Sequence, residues 1–288
     1  MAFNLSDAHT KTTPKLDLFY VLFLTAFHVG AVSALFFFSW TNLLIFLFIY
    51  LITGAGITVG YHRLLTHRSF KTPKIFEYFW AILGNLSLEG SPIMWVAQHR
   101  QHHLESDTEL DPHNIKEGFF HAHMGWIFIR FPSWYEQGQK DLFAPDLQKD
   151  AFYRWMDRNS LVFPIGLGVL LFLFGGLPAF LWGFCFRLVW VFHSTWFVNS
   201  AAHMWGSRPF KNELATNNWW VALLALGEGW HNNHHQFPTS ARHGLRNWQF
   251  DFSWIMIWTM AKLGIVNKIR LPKDSELPWQ NKTHTLNA

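Results

Sequence analysis

Nine histidines carry the chemical signal in this chain of 288 residues. His62 and His67 stand in HRLLTH, His99, His102 and His103 in HRQHH, and His231, His234 and His235 in HNNHH. His203 closes NSAAH, four residues after Asn199. On a helix, residues three or four apart share a face, with Cβ atoms about 5–6 Å apart. His99 can therefore share a metal with His102 or His103, and His231 with His234 or His235. Adjacent residues point about 100° apart, so His102 and His103 do not grip one ion together, nor do His234 and His235. Each HxxHH box suits two neighbouring ions. Nine imidazoles also exceed the roughly six positions around one octahedral ion, and two metals fit the count better. A closed structural zinc site takes about four ligands. Imidazole suits zinc, copper, iron and nickel alike, so ligand type alone does not choose the metal. The single cysteine, Cys185, excludes a disulfide framework and any CxxC site. The isolated histidines His28, His193, His243, His113, His121 and His123 read as packing or hydrogen-bonding residues. Glu228 and Asn233 are candidates for orienting imidazoles or for ordinary capping.

The elements that must hold these residues read as membrane helices. Half the chain is hydrophobic, aromatics reach 18%, and charged residues only 15%, against roughly 25% in soluble domains. A span needs about 20 apolar residues. Four are expected, at about residues 19–40, 43–61, 161–174 and 179–202, with Gly175, Gly176 and Pro178 dividing the last pair. They form two hairpins. Lys and Arg cluster before the first span, between Arg63 and Arg158, and from Arg208 onward, and are absent from both hairpin turns. By the positive-inside rule both termini and the large central segment are cytoplasmic. Arg187 is the exception, inside the fourth span. Two further apolar stretches, 219–227 and 252–264, are too short or interrupted to span and read as interfacial or buried helices. The expectation is an all-α integral membrane protein, one domain over residues 1–288. Four transmembrane helices carry a helical cytosolic cap, about 62–158 and 203–288, that holds a histidine-rich dimetal site. All nine histidines fall on the cytoplasmic side or at its boundary. A net charge of +4 suits cytosolic sidedness, anionic lipid or an acidic protein donor. Nucleic acid is not expected as a partner.

The boxes resemble those of the membrane fatty-acyl desaturases of the stearoyl-CoA (Δ9) type. The matching text is GITVGYHRLLTH, HRQHH followed by DPHN, WFVNSAAHMWG and EGWHNNHH, in order from about Gly56 to His235. The resemblance implies a diiron enzyme whose ligands are His62, His67, His99, His102, His103, His203, His231, His234 and His235. Asn199 matches a residue that reaches one iron through water. It further implies a reaction that uses O2 and two electrons to remove one hydrogen from each of two neighbouring methylenes. The product is a cis double bond, at Δ9, in a long saturated acyl chain. No cytochrome-b5-like domain is evident, so a separate electron donor of ferredoxin or cytochrome b5 type is expected. The chain's carrier, whether CoA, lipid or carrier protein, is not readable, and bacterial inner membrane and endoplasmic reticulum both fit.

A redox metal with open positions can attack an unactivated methylene, which side-chain acid/base chemistry cannot. A long apolar substrate needs a long apolar tunnel. Phe46 and Tyr50, at i and i+4 on the second span, are candidates for closing it. The competing readings are a related diiron hydroxylase or alkane monooxygenase, a non-redox zinc transporter or sensor, and a metal-free structural membrane protein.

Overall fold

The computed structural model describes residues 4–6, 15–212 and 214–279; Lys11, which contributes to the sidedness expectation, lies outside them. Helix α1 (Leu18–Ala34) holds no charged residue and is capped by Asp17, whose carboxylate accepts from the Tyr20 N–H at 3.3 Å. A short 3-10 turn ends it at Phe37. Ser39 then opens α2 (Trp40–Ala55), its hydroxyl accepting from the Asn42 N–H at 3.1 Å. Large side chains such as Phe19, Leu22, Phe36 and Phe48 point outward and stay exposed, as lipid-facing surface would.

The second helix does not stop near residue 61. It continues to Thr66 with its last eleven residues, Gly56–Thr66, wound as a buried π-helix. His62, expected just beyond the span, is therefore inside the continuous helix. Helix α3 (Lys74–Asn85) packs against this wide turn at contact distance. A Cβ on Gly56 would strike the backbone of Leu83 and Gly84, and one on Gly60 would lie 2.8 Å from the Trp80 carbonyl. Small residues at this crossing let the two backbones touch. Helix α4 (Pro92–Glu105) begins with the Ser91 hydroxyl accepting from the Met94 N–H at 3.1 Å, with Pro92 at the first position.

Among the described residues three helices are long and apolar enough to cross a membrane: Leu18–Phe37, Trp40–Thr66 and Val162–Met204. The third, 43 residues by continuity, is not straight. Its backbone leaves helical geometry at Gly176 (φ 66°, ψ −167°), a conformation that glycine adopts without a Cβ clash. A Cβ on Gly168 would lie 3.4 Å from the rings of both Phe180 and Phe184. On a straight helix sixteen residues would separate Gly168 from Phe184 by about 24 Å, so the chain doubles back. The returning arm passes through a π-turn, Leu181–Phe186, into α5 (Arg187–Asn199). It breaks at Ser200 and ends in the short turn Ala201–Met204 that carries His203. Inside this arm Arg187 is fully buried and donates to the carbonyls of Leu86 at 2.8 Å and Gly183 at 3.2 Å.

The apolar stretches expected to be too short to span are the helices Trp219–Leu224 and Phe252–Lys262. Between them lies α6 (His231–Gln236). The all-α expectation needs one correction. β1 (Lys15–Leu16) pairs antiparallel with β2 (Ile129–Arg130), tying the chain ahead of α1 to the central segment. One buried cluster runs from Leu5 through Tyr61, Ile93 and Tyr153 to Val266, so helices and cap share a core.

Candidate metal centre

Four separate stretches of chain bring the nine imidazoles to one place, sorted into two groups. His62, His67, His99, His103 and His234 form the first, and His102, His203, His231 and His235 the second; within each group the ring nitrogens lie within 4.8 Å of one another. The groups abut, with the rings of His103 and His235 4.7 Å apart. Adjacent histidines do part company: His102 and His103 enter different groups, as do His234 and His235. The partners within a box are the i, i+4 pairs, His99 with His103 at 3.1 Å and His231 with His235 at 3.0 Å, Nε2 to Nε2.

HRLLTH needs a different device. At 3.6 residues per turn, residues five apart point about 140° away from each other. The i→i+5 winding of a π-helix brings residue i+5 back over residue i. The His67 N–H donates to the His62 carbonyl at 3.1 Å, and the two rings lie 4.8 Å apart. The π-turn is therefore what brings both rings into one group.

The donor set fits bound metal ions. His62, His234, His103 and His99 form a chain of Nε2 contacts at 3.0, 2.9 and 3.1 Å; His102, His235, His231 and His203 form another at 3.3, 3.0 and 3.0 Å. A neutral imidazole nitrogen carries either one hydrogen or one lone pair. Four nitrogens in a row thus make at most two hydrogen bonds, and the middle contact is left unmade. A cation facing all the lone pairs satisfies every nitrogen. Bonds of about 2.0–2.1 Å at angles between 90° and tetrahedral would separate the nitrogens by about 2.8–3.4 Å, the spacing seen. The buried Nε2 of His67 has no hydrogen-bond partner and faces the first group. Burial, then the neighbouring imidazoles, pushes His67, His99, His103, His231, His234 and His235 well below the ordinary histidine range. They are neutral at pH 7, the form that binds metal.

Carboxylates stand behind the imidazoles. Glu228 lies 2.7 Å from Nδ1 of His62 and 3.1 Å from Nδ1 of His243. Asp111 lies 3.0 Å from Nδ1 of His102 and 3.5 Å from that of His113, and Asp107 lies 3.4 Å from that of His203. A carboxylate on Nδ1 fixes the tautomer and aims Nε2 at the metal. Burial opposes ionisation of Glu228, but Arg63, then His62 and His243, outweigh it and hold the carboxyl well below its usual range. Arg63 is fully buried, 3.0 Å from Glu228 and 2.9 Å from Asp251. Gly227 (φ 114°) sits directly against the Asp251 carboxylate, where any side chain would collide.

Sequence reasoning picked out Glu228 but left its role open, and it set His243 and His113 aside as packing residues. Both belong to this outer layer. Asn233 does not touch the imidazoles through its side chain; its amide donates to the His243 carbonyl at 2.8 Å and accepts from Asn217 at 2.7 Å, bracing the loop. Arg63, Asp251 and Asp107 were missed. DPHN does carry Asp111 and His113, so acidic residues within a turn or two of the boxes were the available signal.

A narrow slot leads from the histidines into the helices. One wall is a stripe of the second helix, Tyr50, Gly54, Ile57, Thr58 and His62; the other is a stripe of α5, Val191, Ser194, Thr195, Val198 and Asn199. Both helices run toward the histidine cluster, so His62 and Asn199 stand at the head and Tyr50 and Val191 at the foot. Asn199 shares the head with His231 and His99. Trp95 also lines the slot and stacks on His99, ring centres 4.9 Å apart. Tyr50 donates its hydroxyl to the Leu224 carbonyl, and Phe46 stacks on it from behind at 5.9 Å.

The fatty acid desaturase family model matches residues 9–252. The chain belongs to the fatty acid desaturase family and is an oxidoreductase that introduces a double bond into fatty acyl chains. It is 44% identical over 266 residues to an sn-1 stearoyl-lipid 9-desaturase of Anabaena variabilis, covering 91% of this chain and 97% of that protein. It is 43% identical over 275 residues to an sn-2 palmitoyl-lipid 9-desaturase of a Nostoc species, covering 94% and 95%. Similarity extends to an acyl-CoA C20 Delta5-desaturase of Anemone leveillei, 43% identical over 265 residues, covering 90% and 83%.

Proposed function

We propose that this chain uses two iron ions, O2 and two electrons to place a cis double bond at carbon 9 of a long saturated acyl chain carried on a glycerolipid. The observation that carries this is the junction of the two histidine groups with the head of an apolar slot. An unactivated methylene has no acidic proton and no leaving group, so the oxidising power comes from the bound irons. His62, His67, His99, His103 and His234 would hold one ion and His102, His203, His231 and His235 the other, with Asn199 reaching the second through water. The remaining work belongs to shape. The slot holds the chain in register with the ions, where a displacement near 1 Å costs rate steeply. Tyr50, backed by Phe46, closes the foot and limits how many methylenes pass below the reacting pair.

Carbon 9 and the glycerolipid carrier are supported by the Anabaena variabilis and Nostoc relatives, which are named as stearoyl-lipid and palmitoyl-lipid 9-desaturases and match nearly end to end. Four membrane spans, with both termini cytoplasmic, are supported by the fold-back at Gly176 and the placement of Lys and Arg. A single domain over residues 1–288 is supported by the shared core. The electrons would come from a donor of ferredoxin or cytochrome b5 type.

The test is expression in a host that lacks unsaturated fatty acids, with lipids and thioesters analysed by mass spectrometry. A 9-alkene appearing first on glycerolipid supports the assignment. A bond at carbon 5, an alkene on CoA before lipid, or an alcohol would each overturn part of it. His99→Ala should abolish the new alkene.

A further inference from the structure

Three histidines outside the nine form a second assembly. His28 on α1, His193 on α5 and His123, at the end of the short helix Phe119–His123, lie in single file. His28 Nε2 is 3.1 Å from His193 Nε2, His193 Nδ1 is 2.9 Å from His123 Nε2, and His123 Nδ1 is 2.9 Å from the Ser200 hydroxyl. Both ends of the file rest on backbone carbonyls: Leu24 O, 2.7 Å from His28 Nδ1, and Trp196 O, 2.9 Å from the Ser200 hydroxyl. The contacts pass through both ring nitrogens of each imidazole and do not converge on a point. They do not describe a metal site.

The hydrogen count is informative. Five contacts need one hydrogen each, because a carbonyl supplies none and each ring nitrogen or hydroxyl donates at most one. Three neutral imidazoles and one hydroxyl bring four. The neutral file is one hydrogen short, and a single added proton completes it without breaking a contact. Moving the gap one step along moves a proton one step the other way. A structural hydrogen-bond chain gains nothing from this property; a proton conductor depends on it.

The file runs from the groove side of α1 to the end of α5. His28 is half-buried and borders a groove of about 510 Å³ with Val21, Thr25, Met124 and Phe128. Ser200 is fully buried at the end of α5. Its neighbour Asn199 stands at the head of the slot, and the Ser200 carbonyl accepts from the His203 N–H at 3.1 Å. The chemistry consumes protons there. Converting –CH2–CH2– to –CH=CH– with one O2 takes two electrons and two protons and releases two waters.

We propose that His28, His193, His123 and Ser200 form a proton relay from the groove beside α1 to the metal end of α5. The proposal rests on the desaturase assignment above. The test uses the purified, iron-loaded enzyme with its electron donor, comparing wild type with His193→Gln and His28→Gln. Glutamine keeps hydrogen bonds but cannot pass a proton through a ring. For His193→Gln the turnover number should fall about 100-fold, with KM and iron content unchanged. The solvent deuterium isotope effect should rise, and added imidazole should restore turnover to His193→Ala. His28→Gln, at the half-buried outer end, should show the same signature if the inner variant does not fold. Independently of activity, 15N spectra of histidine-labelled, metal-free protein should show N–H···N couplings joining the three rings. Unchanged turnover in both variants overturns the relay, as does a loss that imidazole cannot rescue or absent couplings. If wild type itself makes no alkene, the desaturase assignment has failed instead.

Discussion

Replacing Tyr50 with Ala should lengthen the chains this enzyme accepts. Tyr50 is buried at the foot of the slot, held by its bond to the Leu224 carbonyl and by Phe46 stacked behind it. Phe46 is itself fixed by the rings of Phe186 at 5.1 Å and Trp190 at 5.7 Å, so it becomes the new floor. Removing the phenol opens room in line with the acyl chain. If two more methylenes are buried at about 0.8 kcal/mol each, the longer chain gains about 1.6 kcal/mol. At 1.36 kcal/mol per tenfold, that is a shift of about 15-fold in the ratio of kcat/KM for a chain two carbons longer. The assay is competition between saturated substrates of graded length, read as alkenes by mass spectrometry. Tyr50→Phe, which keeps the ring, should leave the ratio near wild type. A Tyr50→Ala enzyme that is folded and iron-loaded yet keeps the wild-type length profile would refute the floor assignment.

Other expectations follow from the same geometry. Glu228→Gln removes the ionised partner of His62 and His243 and should weaken metal binding by about 10–100-fold, measured by competition with a chelator; unchanged affinity would mean that Glu228 serves Arg63 alone. Gly56→Ala puts a methyl into the backbone of Leu83 and Gly84 and should cost about 1–3 kcal/mol, seen as a lower Tm in detergent. Metal content should fall with it, because the π-turn that aligns His62 and His67 is displaced. Burial, then Arg63, pushes His243 down to about 4. It is neutral when folded but protonates near 6.5 when unfolded. Stability should therefore be full above about pH 6.5 and decline from there toward pH 4; a Tm that rises on acidification over that window would contradict it.

Much of the site is legible in one dimension because its signals are local. Imidazoles at i, i+3 and i+4 on one helix report a shared face, and the 100° between neighbours divides each HxxHH box between two groups. Uncharged runs report apolar helices by length alone, and Gly175-Gly176 with Pro178 reports a break. Those inferences need no knowledge of what lies across the fold. The distribution of His102 and His103, with His234 and His235, between two groups follows directly from helix geometry.

Other features came only with the tertiary structure, because they depend on contacts between distant parts of the chain. HRLLTH does not align on an α-helix, and the π-winding that aligns it is held by α3 pressed against Gly56 and Gly60. The Arg63–Glu228–Asp251 network joins positions up to 188 apart in sequence, and burial makes its charges interdependent. His28, His193 and His123 look like three unrelated packing residues in the sequence. Only the crossing of α1, α5 and the cap puts them in file, where their shared hydrogens become a single chemical system.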